Sequence, residues 1–193
     1  MDSATQFDDQ QALLPYLLPG ERILWNGRPP TGFLFRKTDL FLLPFSLMWA
    51  GFAVFWEVMA WKSGAPPFFL VFGGMFVVMG VFFVGGRFFY DMRLRANTVY
   101  AITEGRALIL TGVRRRALTA LALSTLSQIH LELLDDGRGT ITFGPVSPIG
   151  PVVRNPGFPG TGRAVAPVFE RIENAAEVYR LLQRPEPRSE RTV

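Results

Sequence analysis

The chain has 193 residues, of which 49% are hydrophobic, 19% are charged and none is cysteine, and its formal net charge is +4. Soluble domains carry roughly a quarter of charged residues, so this composition and a mean hydropathy of +0.22 point away from a purely aqueous protein. The missing cysteine excludes disulfides, thiolate nucleophiles and cysteine metal sites, and scattered basic residues without interleaved aromatics argue against a nucleic-acid partner.

Met1 to Gln11 is polar and acidic, unlike the basic start and apolar run of a secretory signal. Residues 1–16 are therefore expected to be a flexible N-terminus with no cleaved signal. From Glu21 to Asn26, Ile23 and Trp25 alternate with polar neighbours, and Pro29 and Pro30 follow, so 17–38 reads as a strand and a linker.

No charged residue lies between Asp39 and Glu57, or between Lys62 and Arg87. Crossing a bilayer core takes about 20 apolar helical residues. Both runs qualify, and 39–62 and 68–88 are expected to be transmembrane helices. The connector, 63–67, is too short for anything except an antiparallel turn. Trp61 and Tyr90 stand where interfacial aromatics anchor a span, and Arg87, Arg93 and Arg95 anchor the second helix from its polar side. Gly73, Gly74, Gly80 and Gly85 are expected to let a neighbouring backbone approach, either the first helix or a second copy of the chain. Glu57 is the ionisable group inside the first run. Its place near the helix end suits a snorkelling interfacial residue, whereas a proton or ion relay usually needs several such groups.

Arg22, Arg28, Arg36 and Lys37 precede the hairpin, Lys62 alone lies near the connector, and Arg87, Arg93 and Arg95 follow. The positive-inside rule then places both termini in the cytoplasm and the connector outside, in a cell inner membrane.

Beyond Asn97 the pattern changes. Thr98–Thr103 and Arg106–Thr111, separated by Glu104 and Gly105, have hairpin spacing, and Leu118–Leu123 follows after a turn at Gly112–Arg115. In 128–133, Ile129, Leu131 and Leu133 alternate with polar residues. The turn Asp135–Gly139 then leads to Thr140–Phe143, a second hairpin. Pro145–Gly162 reads as an irregular loop. From Pro167, Phe169, Ile172, Ala176 and Tyr179 recur at helical spacing and Glu170 suits a helix N-terminus, predicting one amphipathic helix that ends before Pro185 and a disordered tail over 185–193.

Arg114, Arg115 and Arg116 form the one basic run. Near an anionic surface each is worth about 1 kcal/mol, so lipid-headgroup or partner contact competes with a simple solvated turn. His130, the single histidine, reads as a surface residue, and adjacent Asp135 and Asp136 as turn chemistry. There is no phosphate-cradling loop, no G-x-S-x-G elbow and no metal-spaced histidine set, so the expectation is a non-enzyme without cofactor or metal.

The segments LLPGERILWNGRP (17–29), GRFFYDMRLRANTVYAITEGRALIL (86–110) and FERIENAAEVYRLLQ (169–183) carry a resemblance. With the paired apolar runs, the chain resembles bacterial membrane proteins with a pleckstrin-homology-like domain. The resemblance implies a membrane α-helical hairpin plus a mainly-β pleckstrin-homology-like barrel capped by a C-terminal α-helix, with the β domain over 89–184. It also implies a binding or assembly role without settled ligand. Lipid-binding relatives use basic residues between their first two strands, where this chain has only Glu104 and Gly105.

Two functions fit these readings. One is a non-catalytic, membrane-anchored binding or scaffolding module that meets a protein partner or lipid at the cytoplasmic face. The other is an accessory subunit of a membrane transport or enzyme complex, assembled through the hairpin.

Overall fold

A computed structural model describes residues 3–36, 39–113, 116–145 and 166–183. They fall into two compact units, one within 1–31, 94–148 and 165–193, the other within 32–93.

Among the described residues, the first unit is built on seven strands. β1 (Ile23–Gly27), β2 (Thr98–Thr103), β3 (Arg106–Thr111) and β4 (Ala117–Ala122) form an antiparallel sheet in that order. β5 (Ile129–Leu133), β6 (Gly139–Phe143) and β7 (Val168–Ile172) form a second. The pre-membrane strand and both hairpins stand where the sequence places them, to within two residues. The expected barrel does not: the two sheets stay separate. After β4 the chain tightens into a 3-10 turn at Leu123–Thr125, where Leu123 N–H donates to Gly105 and Leu126 N–H to Leu123, so the ladder does not continue into β5.

Every residue of β2 is buried, because both faces of the first sheet are covered. Tyr100, Ile102, Ala107 and Ile109 point into a core shared with Ile141, Phe143, Phe169 and Ile172. Val99, Ala101, Leu108 and Leu110 point the other way, onto Leu13, Tyr16 and Leu17. The strands therefore read as apolar runs rather than strict alternation.

The N-terminal cover corrects the expectation of a flexible 1–16. Ser3–Leu13 is a helix, α1, followed by a 3-10 turn at Leu14–Tyr16. Leu13 and Asp9 are both fully buried. Asp9 is ion-paired with Arg28, whose Nε donates to Oδ1 at 2.6 Å, and Arg28 also donates to the Ala96 carbonyl. Buried charges persist only when paired in this way.

The C-terminal expectation is also corrected. Val168–Ile172 is a strand, and the helix, α4, covers only Ala175–Leu182. The register explains the helical spacing: Phe169 faces Ile141 while Ile172 faces Gly139, so three steps on β7 match two on β6. This bulge, with Arg171 at φ 47°, turns Phe169 and Ile172 to the same side. Ala175, Val178 and Leu182 of α4 then close the core, and a side chain at Gly139 would collide with Ala175.

In the second unit α2 (Asp39–Lys62) and the helix that begins at Pro67 pack as an antiparallel pair. That second helix, α3, runs to Ala96, ten residues past Gly86, where the uncharged run ends. A widened π turn at Phe82–Gly86 interrupts it, where paired glycines loosen the helix. Gly64, at φ 69°, ends α2: Ala65 N–H reaches the Ala60 carbonyl and Gly64 N–H that of Trp61. Pro67, which needs no N–H partner, opens α3. The connector is thus an antiparallel turn.

Both helices are long and apolar enough to cross a membrane, with mean hydropathies of 1.6 and 2.4. In each, only 11% of the most apolar window is buried within the protein. Phe41, Phe68 and Val71 are each more than 70% exposed. A helix from a soluble core would hide such side chains, whereas lipid solvates them.

Candidate functional site

The residues singled out from the sequence gather around the helix pair and separate into several roles. Gly73 and Gly80, seven residues apart, lie on the packed face of α3. A Cβ on Gly80 would stand 3.0 Å from both Cα and Cβ of Ala50, and one on Gly73 would overlap Glu57 and Trp56. Gly74 and Gly85 have no neighbour within 4 Å, so the hairpin's own packing does not use them.

Trp61 and Tyr90 are exposed, at 72% and 51%. Arg93 is exposed as well, but Arg87 and Arg95 are buried. Arg87 Nη2 lies 3.2 Å from Asp39 Oδ1, both side chains being almost wholly enclosed, and its guanidinium stacks 4.6 Å from the Phe88 ring centroid. A second pair, Arg36 and Asp91, is joined at 3.1 Å. Arg95 donates to the Pro30 carbonyl. Asp39 further accepts from the Arg36 N–H at 2.8 Å, which ties the chain entering α2 to the helix start.

Asp39 and Asp91 were not among the residues picked from the sequence. Their signal is the spacing Arg87, Asp91, Arg95, i to i+4 to i+8, which puts three charges on one helix face. All three are buried. That face also explains why α3 continues beyond the apolar run: the polar turns are held by ion pairs. A buried ion pair adds little net stability over an apolar pair, yet losing one partner costs about 3–5 kcal/mol. Asp39–Arg87 and Arg36–Asp91 therefore fix how the ends of the helices are matched.

Glu57 departs from the snorkelling expectation. Its Oε2 is buried without a hydrogen-bond partner, turned toward Gly73 on the neighbouring helix.

In the β unit, Arg106 is the basic residue at the β2–β3 turn, and it is already engaged. Its Nε donates to Glu21 Oε1 at 2.9 Å and its Nη2 to Oε2, while Thr103 Oγ1 and Leu18 N–H donate to the same carboxylate. The Arg106 hydrogen bonds, helped by those from Leu18 and Thr103, hold the Glu21 carboxyl down to about 2. The same hydrogen bonds between the two side chains, with the carboxylate's charge adding to them, raise Arg106 in turn.

Of the basic run, Arg116 is exposed just before β4, and Arg114 and Arg115 lie outside the described residues. So do Lys37, the tail over 185–193 and most of the Pro- and Gly-rich loop. His130 is exposed on β5. Asp136 caps its own turn, accepting from the Arg138 N–H and pairing with that side chain at 2.9 Å. Among the described residues, no three His, Asp or Glu side chains are grouped so as to hold a metal ion.

No family model, no curated protein and no solved structure matches the chain.

Proposed function

We propose that this protein is a non-catalytic, membrane-anchored binding or scaffolding module that presents a pleckstrin-homology-like domain at the cytoplasmic face of an inner membrane, with both termini inside. One observation carries the reading. The lipid-soluble helix pair is inserted between β1 and β2, which are paired with each other, Gly27 opposite Tyr100. The membrane segment is thus tied into the β sheet at both of its ends rather than hung from a free tail. Antiparallel strands followed by one C-terminal helix are what the pleckstrin-homology resemblance implies, and they support that part of the reading, although the two sheets do not close the barrel it also implies. The loading of Arg and Lys on the flanks supports the orientation.

Arg116 and its two basic neighbours are the candidate contact to lipid or partner, since Arg106 is occupied by Glu21. The second reading, an accessory subunit assembled through the helices, is favoured by the unused small faces at Gly74 and Gly85.

Cysteine accessibility tests the placement in a chain that has no cysteine of its own. Ser63→Cys should react with an impermeant maleimide on intact cells, and Arg116→Cys only after permeabilisation. The opposite pattern, or full-length protein left in the supernatant after ultracentrifugation without detergent, overturns the reading. Replacing Leu40–Gly86 by an unrelated hairpin separates the two functions. A partner cross-linked from the β unit persists under the first and is lost under the second.

A further inference from the structure

We propose that α1 is the releasable occupant of a helix-docking face on the first sheet, and that this face takes a partner's amphipathic helix carrying a carboxylate four residues before a leucine. The β unit holds two apolar clusters that share no residue. Tyr100, Ile102, Ala107 and Ile109 pack with the second sheet and α4, and no residue of α1 belongs to that core. Val99, Ala101, Leu108 and Leu110 lie on the opposite face, none more than 5% exposed, and α1 with the turn behind it is their cover. Loss of α1 therefore bares one apolar face and leaves the other core whole.

α1 brings little to hold its place. Among its described side chains Leu13 is the enclosed apolar one, while Phe7 is exposed, as is Leu14 just beyond the helix. Asp9 is fully enclosed, yet its Oδ2 accepts no hydrogen bond, and a buried acceptor left unsatisfied is costly. At eleven residues the helix is too short to persist in water unaided, so burial of Leu13 has to offset the ordering of the whole segment. The receptor for the acid is set from the other side. Arg28 Nε donates to Asp9 Oδ1 and its Nη1 to the Ala96 carbonyl at 3.2 Å, a bond that keeps the guanidinium in place when α1 leaves. On a helix Asp9 and Leu13 stand one turn apart on one side. That fixes what a competitor must copy: an acid facing Arg28 and, four residues later, a leucine over the bared face. A helix that covers more of the face than α1 does displaces it, whereas a basic one is repelled by Arg28.

The partner rests on the binding-module reading, which cysteine labelling and hairpin exchange test separately; the docking face is tested on the full chain in maltoside micelles. Hydrogen–deuterium exchange of the wild type needs no variant, and the backbone N–H groups of α1 should exchange at least about tenfold faster than those of β2. A fluorescein-labelled peptide of residues 3–18 is then titrated into Leu13→Ser, a chain whose own α1 is loosened. Saturable binding above the micelle blank is expected, about tenfold tighter than to the wild type, where α1 competes; the same peptide with Asp9→Asn or with Leu13→Ala should bind about tenfold more weakly. Protection of α1 equal to that of β2, no saturable binding to the Leu13→Ser chain, or equal affinity of the three peptides overturns the proposal. Unfolding of the β unit in Leu13→Ser overturns it as well, since α1 would then be part of the core. So does a Leu13→Ser dimer in which α1 stays protected, which would assign the face to a second copy of the chain.

Discussion

Glu21 links the segment before the membrane to the turn after β2, and its removal has a calculable signature. Its carboxyl falls from an ordinary 4.5 to about 2 in the folded protein. One unit is worth 1.36 kcal/mol, so the upper bound on its contribution at neutral pH is roughly 3 kcal/mol. The Glu21 side chain is 9% exposed and that of Arg106 21%, and solvent reaching the guanidinium lowers the expected loss in Glu21→Gln to about 1–3 kcal/mol. Because the folded carboxyl is the more acidic one, its contribution is complete above pH 4.5 and disappears as pH falls through about 2. With Trp49, Trp56 and Trp61 replaced by phenylalanine, Trp25 reports on the β unit alone, its ring lying 5.7 Å from that of Phe169. Urea titrations of its emission should show wild type and Glu21→Gln separated at pH 7 and converging toward pH 2. A gap that is absent at pH 7, or that keeps its size down to pH 2, refutes the assignment.

Three further outcomes are expected. Ala50→Cys combined with Gly80→Cys should form an intramolecular disulfide on mild oxidation, since the two Cβ positions are 3.0 Å apart and need to relax only slightly; Ala50→Cys with Gly74→Cys should not, as non-reducing electrophoresis of proteolysed protein would reveal. Asp39→Asn leaves Arg87 enclosed without its counter-charge and should destabilise the helix pair by about 3–5 kcal/mol, read as unfolding in a graded dodecyl sulfate series, with Asp39→Asn/Arg87→Met restoring most of the loss. Arg171→Gly should stabilise the β unit by about 1 kcal/mol by relieving the left-handed backbone, whereas Arg171→Val should destabilise it in the same Trp25 titration.

The hairpin and the first six strands were legible because each is written in local chemistry. Lipid demands a long apolar run, and Leu40 to Trp61, interrupted only at Glu57 near its end, and Pro67 to Gly86 each supply one whatever the rest of the chain does. The turn at Glu104–Gly105 and the alternation through Ile129, Leu131 and Leu133 are equally local. Among the glycines, by contrast, composition could not separate Gly73 and Gly80 from Gly74 and Gly85. Which of them meets the partner helix depends on the rotation of α3, and that is set by Asp39 and Arg87, 48 positions apart. Glu21 and Arg106 show the same limit. Neither residue type nor spacing announces a pair 85 residues apart.

At the two ends of the chain the sequence misleads for opposite reasons. α1 hides its packing: among its described side chains the fully enclosed apolar one is Leu13, and the other anchor is an acid, Asp9, which would be read as solvated unless Arg28 were known to reach it. No apolar stripe exists there to be read. β7 instead displays a stripe that is false. A bulge inserts one residue between two inward side chains, and an inward pair two apart becomes a pair three apart, the separation of neighbours on a helix. Phe169 and Ile172 then continue smoothly into the true helical spacing of Ala175, Val178 and Leu182. The two periods can be told apart only at Arg171, where the backbone takes a left-handed turn that no helix interior would accept. A helix over 168–172 would have left the β6 edge without its partner strand, and pairing that edge while burying Phe169 among Tyr100, Phe143 and Trp25 is what decides the outcome.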